Sequence, residues 1–188
     1  MTKIAIFASG NGSNFEAIVT AAQSGKLRVN PTLLVCDKPG AGVISRAESK
    51  GVEALVVSPK AYPDMAACEA DILAELQKRD IRFLVLAGYM RLVGKTLLGA
   101  YPNQIVNIHP SLLPLFPGTD AIRRAYESGA LETGVTVHYV DEGMDTGPVI
   151  AQHRVPIEKD DTLKSLEEKI HKAEHQLYIE TLQDLFNK

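Results

Sequence analysis

The sequence predicts a single-domain α/β protein with a mostly parallel central sheet and helices on both faces. The chain has 188 residues, enough for one large core but short for two domains. Short apolar segments alternate with segments of helical periodicity, which is the order of a βαβ series. Most of the apolar segments are continuous, as expected for strands that are covered on both faces.

Each element follows from a local pattern. Five apolar segments predict parallel strands at 3–8, 32–36, 54–57, 83–88 and 104–108. Helical patterns between them predict helices at 14–25, 41–50, 65–79 and 94–100. Two further strands are predicted at 134–140 and 148–157, with the loop DEGMDTG between them. A last helix is predicted at 162–186, with apolar residues at helical spacing that dock on the sheet: Leu163, Leu166, Ile170, Ala173 and Leu177.

Composition and charge exclude several classes of protein. Hydrophobic residues make up 45% of the chain and charged residues 23%, which is globular and not disordered composition. The net charge of −3 gives no general attraction to nucleic acid or to a membrane, so we expect neither as a partner. Cys36 and Cys68 form no CxxC motif, and the first apolar run is too short for a signal peptide. We therefore expect a cytoplasmic protein whose core cysteines are reduced. These patterns do not specify its oligomeric state.

A glycine-containing loop, ASGNGSN at 8–14, follows the first strand and opens the first helix. Ser13 and Glu16 have the spacing of a capping box, which predicts a helix start near residue 14. Gly10 and Gly12 permit tight turns and close approach of a ligand, and free N–H groups at a helix start favour a phosphate. The loop matches neither a P-loop nor the dinucleotide motif. It therefore indicates either a phosphate monoester site or a well-capped turn.

Polar side chains end the strand in IVNIHPSLLP, at 105–114. Asn107 and His109 are two residues apart, so on a strand they face the same side. An amide and an imidazolium there could donate to a developing oxyanion, or could be polar residues satisfied at a strand exit. Asp145 in the later acidic loop would favour the protonated imidazole if it lies close. A metal site of His109, His138 and Asp145 is the weaker alternative, because no known ligand spacing supports it, and we expect no metal.

The motifs taken together resemble the folate-dependent formyltransferases. SGNGSN, LAGYMRL (86–92), NIHPSLLPLFPG (107–118) and HYVDEGMDTGPVI (138–150) occur in order over nearly the whole chain. The SGNGSN loop resembles the branch that acts on glycinamide ribonucleotide in purine biosynthesis. The resemblance implies a Rossmann-like formyltransferase fold, with 10-formyltetrahydrofolate as co-substrate and glycinamide ribonucleotide as formyl acceptor. It also implies a cis peptide at Leu113-Pro114.

The resemblance assigns roles to individual residues. Asn107, His109 and Asp145 match the catalytic residues of the family. The glycinamide ribonucleotide site is matched by the loop and by the last helix, through Gly12, Ser13, Asn14, His171 and Glu174, although Glu174 taken alone indicates a surface position. The folate site is matched by Met65, Met90, Arg91, Leu92, Val93, Asn107, Asp141, Glu142, Gly143, Met144 and Asp145. Met65 stands where some members carry a basic residue near the folate glutamate, so either Arg91 or Lys60 would serve instead or recognition of the glutamate tail would be weak.

We expect one domain over 1–188, with a phosphate-binding portion at 1–100 and a catalytic and folate-loop portion at 101–188. Two alternatives stay within the same superfamily: another folate-dependent formyltransferase, and a formyltetrahydrofolate hydrolase. A third, a non-catalytic module that binds a phosphate ligand, explains SGNGSN but leaves the polar strand end and Asp145 without a role.

Overall fold

The computed structural model describes residues 1–188 and confirms the predicted fold class. Its strands are β1 (Thr2–Ala8), β2 (Val29–Cys36), β3 (Glu53–Val56), β4 (Phe83–Leu86), β5 (Ile105–His109), β6 (Glu132–Tyr139) and β7 (Val149–Pro156). Its helices are α1 (Ser13–Gln23), α2 (Gly42–Lys50), α3 (Met65–Lys78), α4 (Lys95–Ala100), α5 (Ala121–Glu127) and α6 (Leu163–Phe186). A short 3₁₀ helix, Pro59–Ala61, precedes α3.

The seven strands form one sheet in the order β3-β2-β1-β4-β5-β6-β7. The first five strands are parallel, whereas β6 pairs antiparallel with β5 and β7 pairs antiparallel with β6. The chain builds outward from β1 to β3 on one side and then resumes with β4 on the other side of β1. The order therefore reverses between β1 and β4, and such switch points are where open α/β sheets bind ligands.

Two apolar cores lie on the two faces of the sheet. Ile4, Ile6 and Ala8 of β1 face a core built with α1, α2 and α6, whereas Ala5 and Phe7 face a core built with α3 and α4. All five of these side chains are completely buried. Burial on both faces explains why the strands read as continuous apolar runs. No helix combines the length and the apolar character needed to cross a lipid bilayer.

Strand β2 begins three residues before its predicted start at residue 32. Pro31 lies inside it, at the point where the register with β1 shifts between Ile4 and Ala5. Proline cannot donate to the ladder and is tolerated at such an irregularity, so the strand continues through it. Helix α5 and the 3₁₀ helix were not predicted. Helix α5 has seven residues and buries only Ala121 and Ala125, too few to display a helical period.

The capping box predicted for α1 is wrong. The N-cap is Gly12, whose backbone is left-handed with φ 86°, and no side chain caps the helix. The Glu16 carboxylate instead pairs with Arg46 of α2. A capping box does begin α6, where the Thr162 hydroxyl accepts from Ser165 N and the Ser165 hydroxyl accepts from Thr162 N. No side chain therefore accepts a hydrogen bond from the free N–H groups at the start of α1.

Helix α6 is attached to the centre of the sheet by Tyr178. The ring is completely buried, and its hydroxyl lies 2.6 Å from the Leu86 carbonyl and 3.3 Å from the Val106 carbonyl. Burial raises the pKa of this phenol well above its ordinary value, so it stays a proton donor. The bond fixes α6 against β4 and β5 just before these strands reach the switch point. Residues one turn earlier on α6 are thereby held beside the strand ends.

Candidate active site

One cavity of about 630 Å³ opens at the carboxyl ends of β1, β4 and β5. Its lining includes the loop after β1, the turn after β4, the polar end of β5 and two residues of α6. A smaller cavity of about 280 Å³ lies before β4 and β5 begin and is lined partly by Leu73, Ile81 and Tyr101. Parallel sheets bind ligands beyond their carboxyl ends, so the larger cavity is the candidate site.

The loop after β1 presents the start of α1 to the cavity. Gly10, Gly12, Ser13 and Asn14 all line it. A Cβ atom on Gly12 would lie 2.5 Å from Val43 Cγ2, so the left-handed turn and the close approach to α2 both require glycine there. With no side-chain cap, the first N–H groups of α1 and the positive end of the helix dipole form a site for an anion.

Two side chains from other helices, Arg46 of α2 and His175 of α6, contact this loop. The Arg46 guanidinium donates to the Asn11 carbonyl at 2.9 Å through Nε and to Asn11 Oδ1 at 2.7 Å through Nη2. The Nε2 atom of His175 lies 3.1 Å from the Ser13 hydroxyl. Burial lowers the pKa of His175, and the charge of Arg46 acts in the same direction. The ring is therefore neutral at neutral pH and can accept the hydroxyl proton of Ser13.

The polar end of β5 points into the cavity, as the spacing of Asn107 and His109 predicted. His109 is buried, and its Nε2 atom lies 2.8 Å from the Phe116 carbonyl. A carbonyl can only accept, so this nitrogen carries a proton. The other ring nitrogen, Nδ1, lies 3.4 Å from Oδ2 of Asp145. Asp145 is therefore placed to accept a hydrogen bond from Nδ1 when that nitrogen carries a proton.

The Asp145 carboxylate lies between two histidines. Its side chain is 11% exposed, and Oδ2 accepts a hydrogen bond from Gly118 N at 2.8 Å. Its other oxygen, Oδ1, lies 3.8 Å from His138 Nε2. The backbone of Asp145 is left-handed, with φ 57°, which is uncommon for a residue other than glycine. Sequence spacing could not establish that Asp145 meets His109, and the structure brings them together.

His138 is part of the site but was not selected from the sequence, except in the rejected metal alternative. It lies on β6 opposite Asn107 of β5 in the antiparallel register. Its Nδ1 atom lies 2.8 Å from the Tyr139 carbonyl and must donate, which leaves Nε2 as an acceptor. The Asn107 amide nitrogen lies 3.3 Å from that Nε2. His138 therefore fixes which way the Asn107 amide faces, and cross-strand register was the signal that could have identified it.

No metal site forms from these side chains. No group of three or more histidine, cysteine, aspartate or glutamate residues is placed to hold a metal ion. The contacts of Asp145 Oδ2 with His109 Nδ1 and with Gly118 N are those of a hydrogen-bonded network.

The turn after β4 forms a second, more apolar end of the cavity. Met90, Arg91, Leu92 and Val93 all line it, and Met90 and Leu92 are 76% and 55% exposed. Val93 is buried and joins the core beneath. Gly143 and Met144 of the acidic loop line the same cavity. Exposed apolar side chains around a concave surface are typical of a binding site for a flat or apolar ligand.

Three residues assigned to the folate site do not line this cavity. Met65 is the first residue of α3, and Lys60 of the 3₁₀ helix is likewise absent from the cavity wall. Asp141 turns inward on its own loop, where Oδ1 accepts from Thr146 Oγ1 at 2.6 Å and from Gly143 N at 3.0 Å. These bonds lower the pKa of Asp141. Glu142 is exposed and does not line the cavity, and Asp141 shapes the loop through its two hydrogen bonds.

Glu174 is buried, which corrects the surface position indicated by its sequence context. It lies on α6 and lines the cavity together with His171, one turn earlier. The Nδ1 atom of His171 lies 2.8 Å from Oε2 of Glu174. The hydrogen bond to Glu174 raises the pKa of His171, and partial burial opposes that increase. The pair places a carboxylate and an imidazole between the anion loop and the polar end of β5.

The comparisons with known proteins agree with this fold. A family model described as formyl transferase matches residues 2–182. The chain belongs to the formyl transferase family of enzymes, as its motifs predicted.

Its relatives within that family carry a more specific name. The chain is 52% identical to phosphoribosylglycinamide formyltransferase of Bacillus subtilis, over 98% of this chain and 95% of that protein. The crystal structure of glycinamide ribonucleotide transformylase 1 from Geobacillus kaustophilus is 60% identical, with a TM-score of 0.96 over 99% of both chains. A trifunctional purine biosynthetic protein of Drosophila melanogaster is 37% identical over 98% of this chain, which spans only 14% of that longer protein.

Proposed function

We propose that the protein transfers the formyl group of 10-formyltetrahydrofolate to the amino group of 5′-phosphoribosylglycinamide, a step of purine biosynthesis. One observation carries the proposal. A single cavity holds an anion-binding helix start, a polar centre and an apolar turn. These three parts suit a phosphorylated acceptor, a reacting carbonyl and a folate ring system in that order. The names of the relatives support the same pair of substrates.

The acceptor is proposed to bind between α1 and α6. Free N–H groups at Gly12, Ser13 and Asn14 hold the phosphate, and no cationic side chain of the loop is needed. The Glu174 carboxylate accepts hydrogen bonds from the ribose or from the glycinamide amine, with His171 beside it. Both residues line the cavity between the phosphate loop and β5, which directs the amine toward Asn107 and His109.

The formyl donor is proposed to bind at the turn Met90–Val93 and at the loop Gly143–Asp145. Backbone groups of the turn and loop recognise the pterin edge, and apolar side chains cover its faces. Arg91 is the one lysine or arginine among the residues that line the cavity. It is therefore the candidate for the glutamate carboxylates at the other end of the folate, in preference to Lys60.

Asn107 and His109 are proposed to stabilise the charge that develops in the reaction. Attack by the neutral amine forms a bond from nitrogen to the formyl carbon and turns the formyl oxygen into an oxyanion. The Asn107 amide and His109 Nε2 donate hydrogen bonds to this oxygen, which replaces the Phe116 carbonyl as the acceptor of His109. Asp145 holds the imidazole in its charged form.

The proton balance follows from the same groups. The attacking amine loses one proton, and the folate nitrogen gains one as its bond to the formyl carbon breaks. Asp145 lies at the centre of the site and can relay that proton, directly or through water. No covalent intermediate is required, because holding the two substrates end to end supplies a large part of the acceleration. Both cysteines are buried and do not line the cavity.

The test is incubation with 10-formyltetrahydrofolate, with and without 5′-phosphoribosylglycinamide, followed by mass spectrometry of the products. We expect formylated acceptor and tetrahydrofolate in equal amounts, formed only when both substrates are present. Formate release without acceptor would instead identify a hydrolase, and binding without turnover would identify a non-catalytic module. The matched control is His109→Ala, which should bind both substrates but lose nearly all turnover. Both cysteines are free, which supports a cytoplasmic location for the proposed reaction.

A further inference from the structure

A buried carboxylate outside the cavity is connected to the proposed folate side of the site. Asp37 follows β2 directly, and its side chain is 6% exposed. One oxygen, Oδ1, accepts from the Ser9 hydroxyl at 2.6 Å, and the other, Oδ2, accepts from Arg91 Nε at 2.8 Å. Burying a carboxylate is costly unless it is paired and hydrogen-bonded, and both conditions are met here.

Three neighbouring strand ends converge at this point. Ser9 follows β1, Asp37 follows β2, and Arg91 lies in the turn after β4, in the sheet order β2-β1-β4. The Ser9 oxygen also accepts a hydrogen bond from Met90 N at 2.9 Å. The Ser9–Asp37 pair therefore holds both the backbone and the arginine side chain of the turn that lines the cavity.

The Arg91 guanidinium is held through one nitrogen only. Its Nε atom is bonded to Asp37, whereas neither Nη atom has a hydrogen-bond partner within the chain. The side chain is 38% exposed and lines the cavity. A free arginine side chain loses considerable rotamer freedom when it binds a ligand, and a guanidinium already fixed at Nε loses less.

We propose that Asp37, supported by Ser9, is a positioning residue that orients Arg91 for a carboxylate of the folate substrate. The inference rests on the proposed function, which makes a folate the ligand of this turn. Asp37 touches no substrate and acts only through Arg91 and the turn. Asp37 therefore contributes to binding of the tail-bearing donor, which is the folate with its glutamate, and not to the chemical step.

Two physical effects of removing Asp37 have opposite signs. The loss of a negative charge near Arg91 strengthens the attraction of an anionic ligand. The loss of the anchor at Nε leaves the guanidinium mobile, which weakens binding. If Asp37 acts by positioning, the second effect is larger, and affinity for a folate with its glutamate falls. The direction of the change in KM therefore distinguishes the two effects.

The experiment compares the full enzyme with Asp37→Ala, Asp37→Asn and Arg91→Ala, using 10-formyltetrahydrofolate and the 10-formyltetrahydropteroate that lacks glutamate. For Asp37→Ala we expect the KM of the tail-bearing donor to rise about 10-fold, with kcat within about twofold. The KM of the tailless donor and of 5′-phosphoribosylglycinamide should change less than about twofold. Asp37→Asn keeps one acceptor oxygen and should raise the ratio of the two donor KM values by about threefold.

A double substitution separates positioning from a general structural role. In Asp37→Ala combined with Arg91→Ala, the two effects on the tail-bearing donor should not add, because both act through one guanidinium. Additive effects, equal losses for both donors or a lower KM for the tail-bearing donor would overturn the proposal. If Asp37→Ala does not fold, an unchanged donor ratio in Asp37→Asn overturns it. Wild-type enzyme that transfers no formyl group contradicts the proposed function instead, and titration with tetrahydrofolate and tetrahydropteroate still measures the tail preference.

Discussion

The Nδ1 atom of His109 lies 3.4 Å from Oδ2 of Asp145, and the same oxygen accepts a hydrogen bond from Gly118 N at 2.8 Å. The first contact connects the end of β5 with the acidic loop, and the second connects that loop with the segment after Pro114. One carboxylate oxygen thus contacts both the imidazole and the Gly118 backbone. It orients the ring and holds the acidic loop against the segment after Pro114. Changing its charge without changing its shape tests the two roles separately.

Asp145→Asn should lower kcat by about 100-fold or more while the protein stays folded. The amide oxygen can still accept from Gly118 N, so the loop contact survives and only the negative charge beside His109 is lost. Steady-state kinetics with both substrates gives kcat and the two KM values, and thermal unfolding checks the fold. A variant with near-normal kcat would show that the carboxylate charge is not needed in the reaction.

His138→Ala should lower kcat by about tenfold, which corresponds to the loss of one neutral hydrogen bond to Asn107. The substitution frees the Asn107 amide to turn away from the reacting oxygen but leaves the His109–Asp145 pair intact. Each KM should change little. The matched control is His153→Ala on β7, an exposed histidine remote from the cavity, which should leave kcat unchanged. Equal effects of both substitutions would contradict the positioning role of His138.

The elements with continuous apolar runs could be predicted from the sequence, because burial on both faces of a parallel sheet leaves a strong local pattern. The same was true of the polar end of β5, since period-two spacing fixes which side chains share a face. Contacts between segments far apart along the chain left no such pattern. The meeting of His109 with Asp145 and the burial of Glu174 depend on how loops and helices pack.

Local signals also misled where tertiary contacts were stronger. Ser13 and Glu16 have capping-box spacing, but Arg46 pairs with Glu16, and His175 contacts Ser13. The family resemblance assigned Met65 to the folate site; in the structure Met65 begins α3 and does not line the cavity. A short motif reports only the local preference of its backbone, and partners from other elements can override it.

Gly12→Ala should weaken the binding of 5′-phosphoribosylglycinamide by about tenfold or more and leave folate binding nearly unchanged. The residue has φ 86°, and an added Cβ would lie 2.5 Å from Val43 Cγ2 and 2.9 Å from Val43 Cα. The loop must shift, which misplaces its N–H groups. Gly99→Ala on α4 is the control, because a Cβ there meets nothing within 4 Å and Gly99 does not line the cavity. Calorimetric titration with each ligand measures the two affinities, and equal losses of both would indicate general disruption.

Glu69→Ala should destabilise the protein by about 2–3 kcal/mol. Glu69 is buried on α3, and its carboxylate accepts from Gly94 N at 2.6 Å and from Leu97 N at 3.3 Å. It therefore caps α4 from a neighbouring helix, and its removal leaves the half-buried Gly94 N and the buried Leu97 N without partners. Denaturant unfolding measures the loss. Glu127→Ala on α5, an exposed residue, is the control and should change stability by less than about 0.5 kcal/mol.

The His171–Glu174 pair should make stability depend on pH in one direction. The hydrogen bond to Glu174 raises the pKa of His171 above its ordinary value of 6.5. A raised pKa means that the folded state holds the proton more tightly than the unfolded chain does. The stabilisation is therefore complete below pH 6.5 and disappears as the pH rises through the raised value.

His171→Asn should accordingly lower Tm at pH 5.5–6 by about 1–3 °C, a small effect because the histidine is half exposed. The difference between wild type and variant should vanish in alkaline buffer, where the ring is neutral in both states. His153→Asn, an exposed histidine of β7, provides the control and should give a difference that does not vary with pH. Thermal unfolding of the three proteins across this range measures the effect. A difference that stays constant or grows with rising pH would contradict an ion pair between His171 and Glu174 in the folded protein.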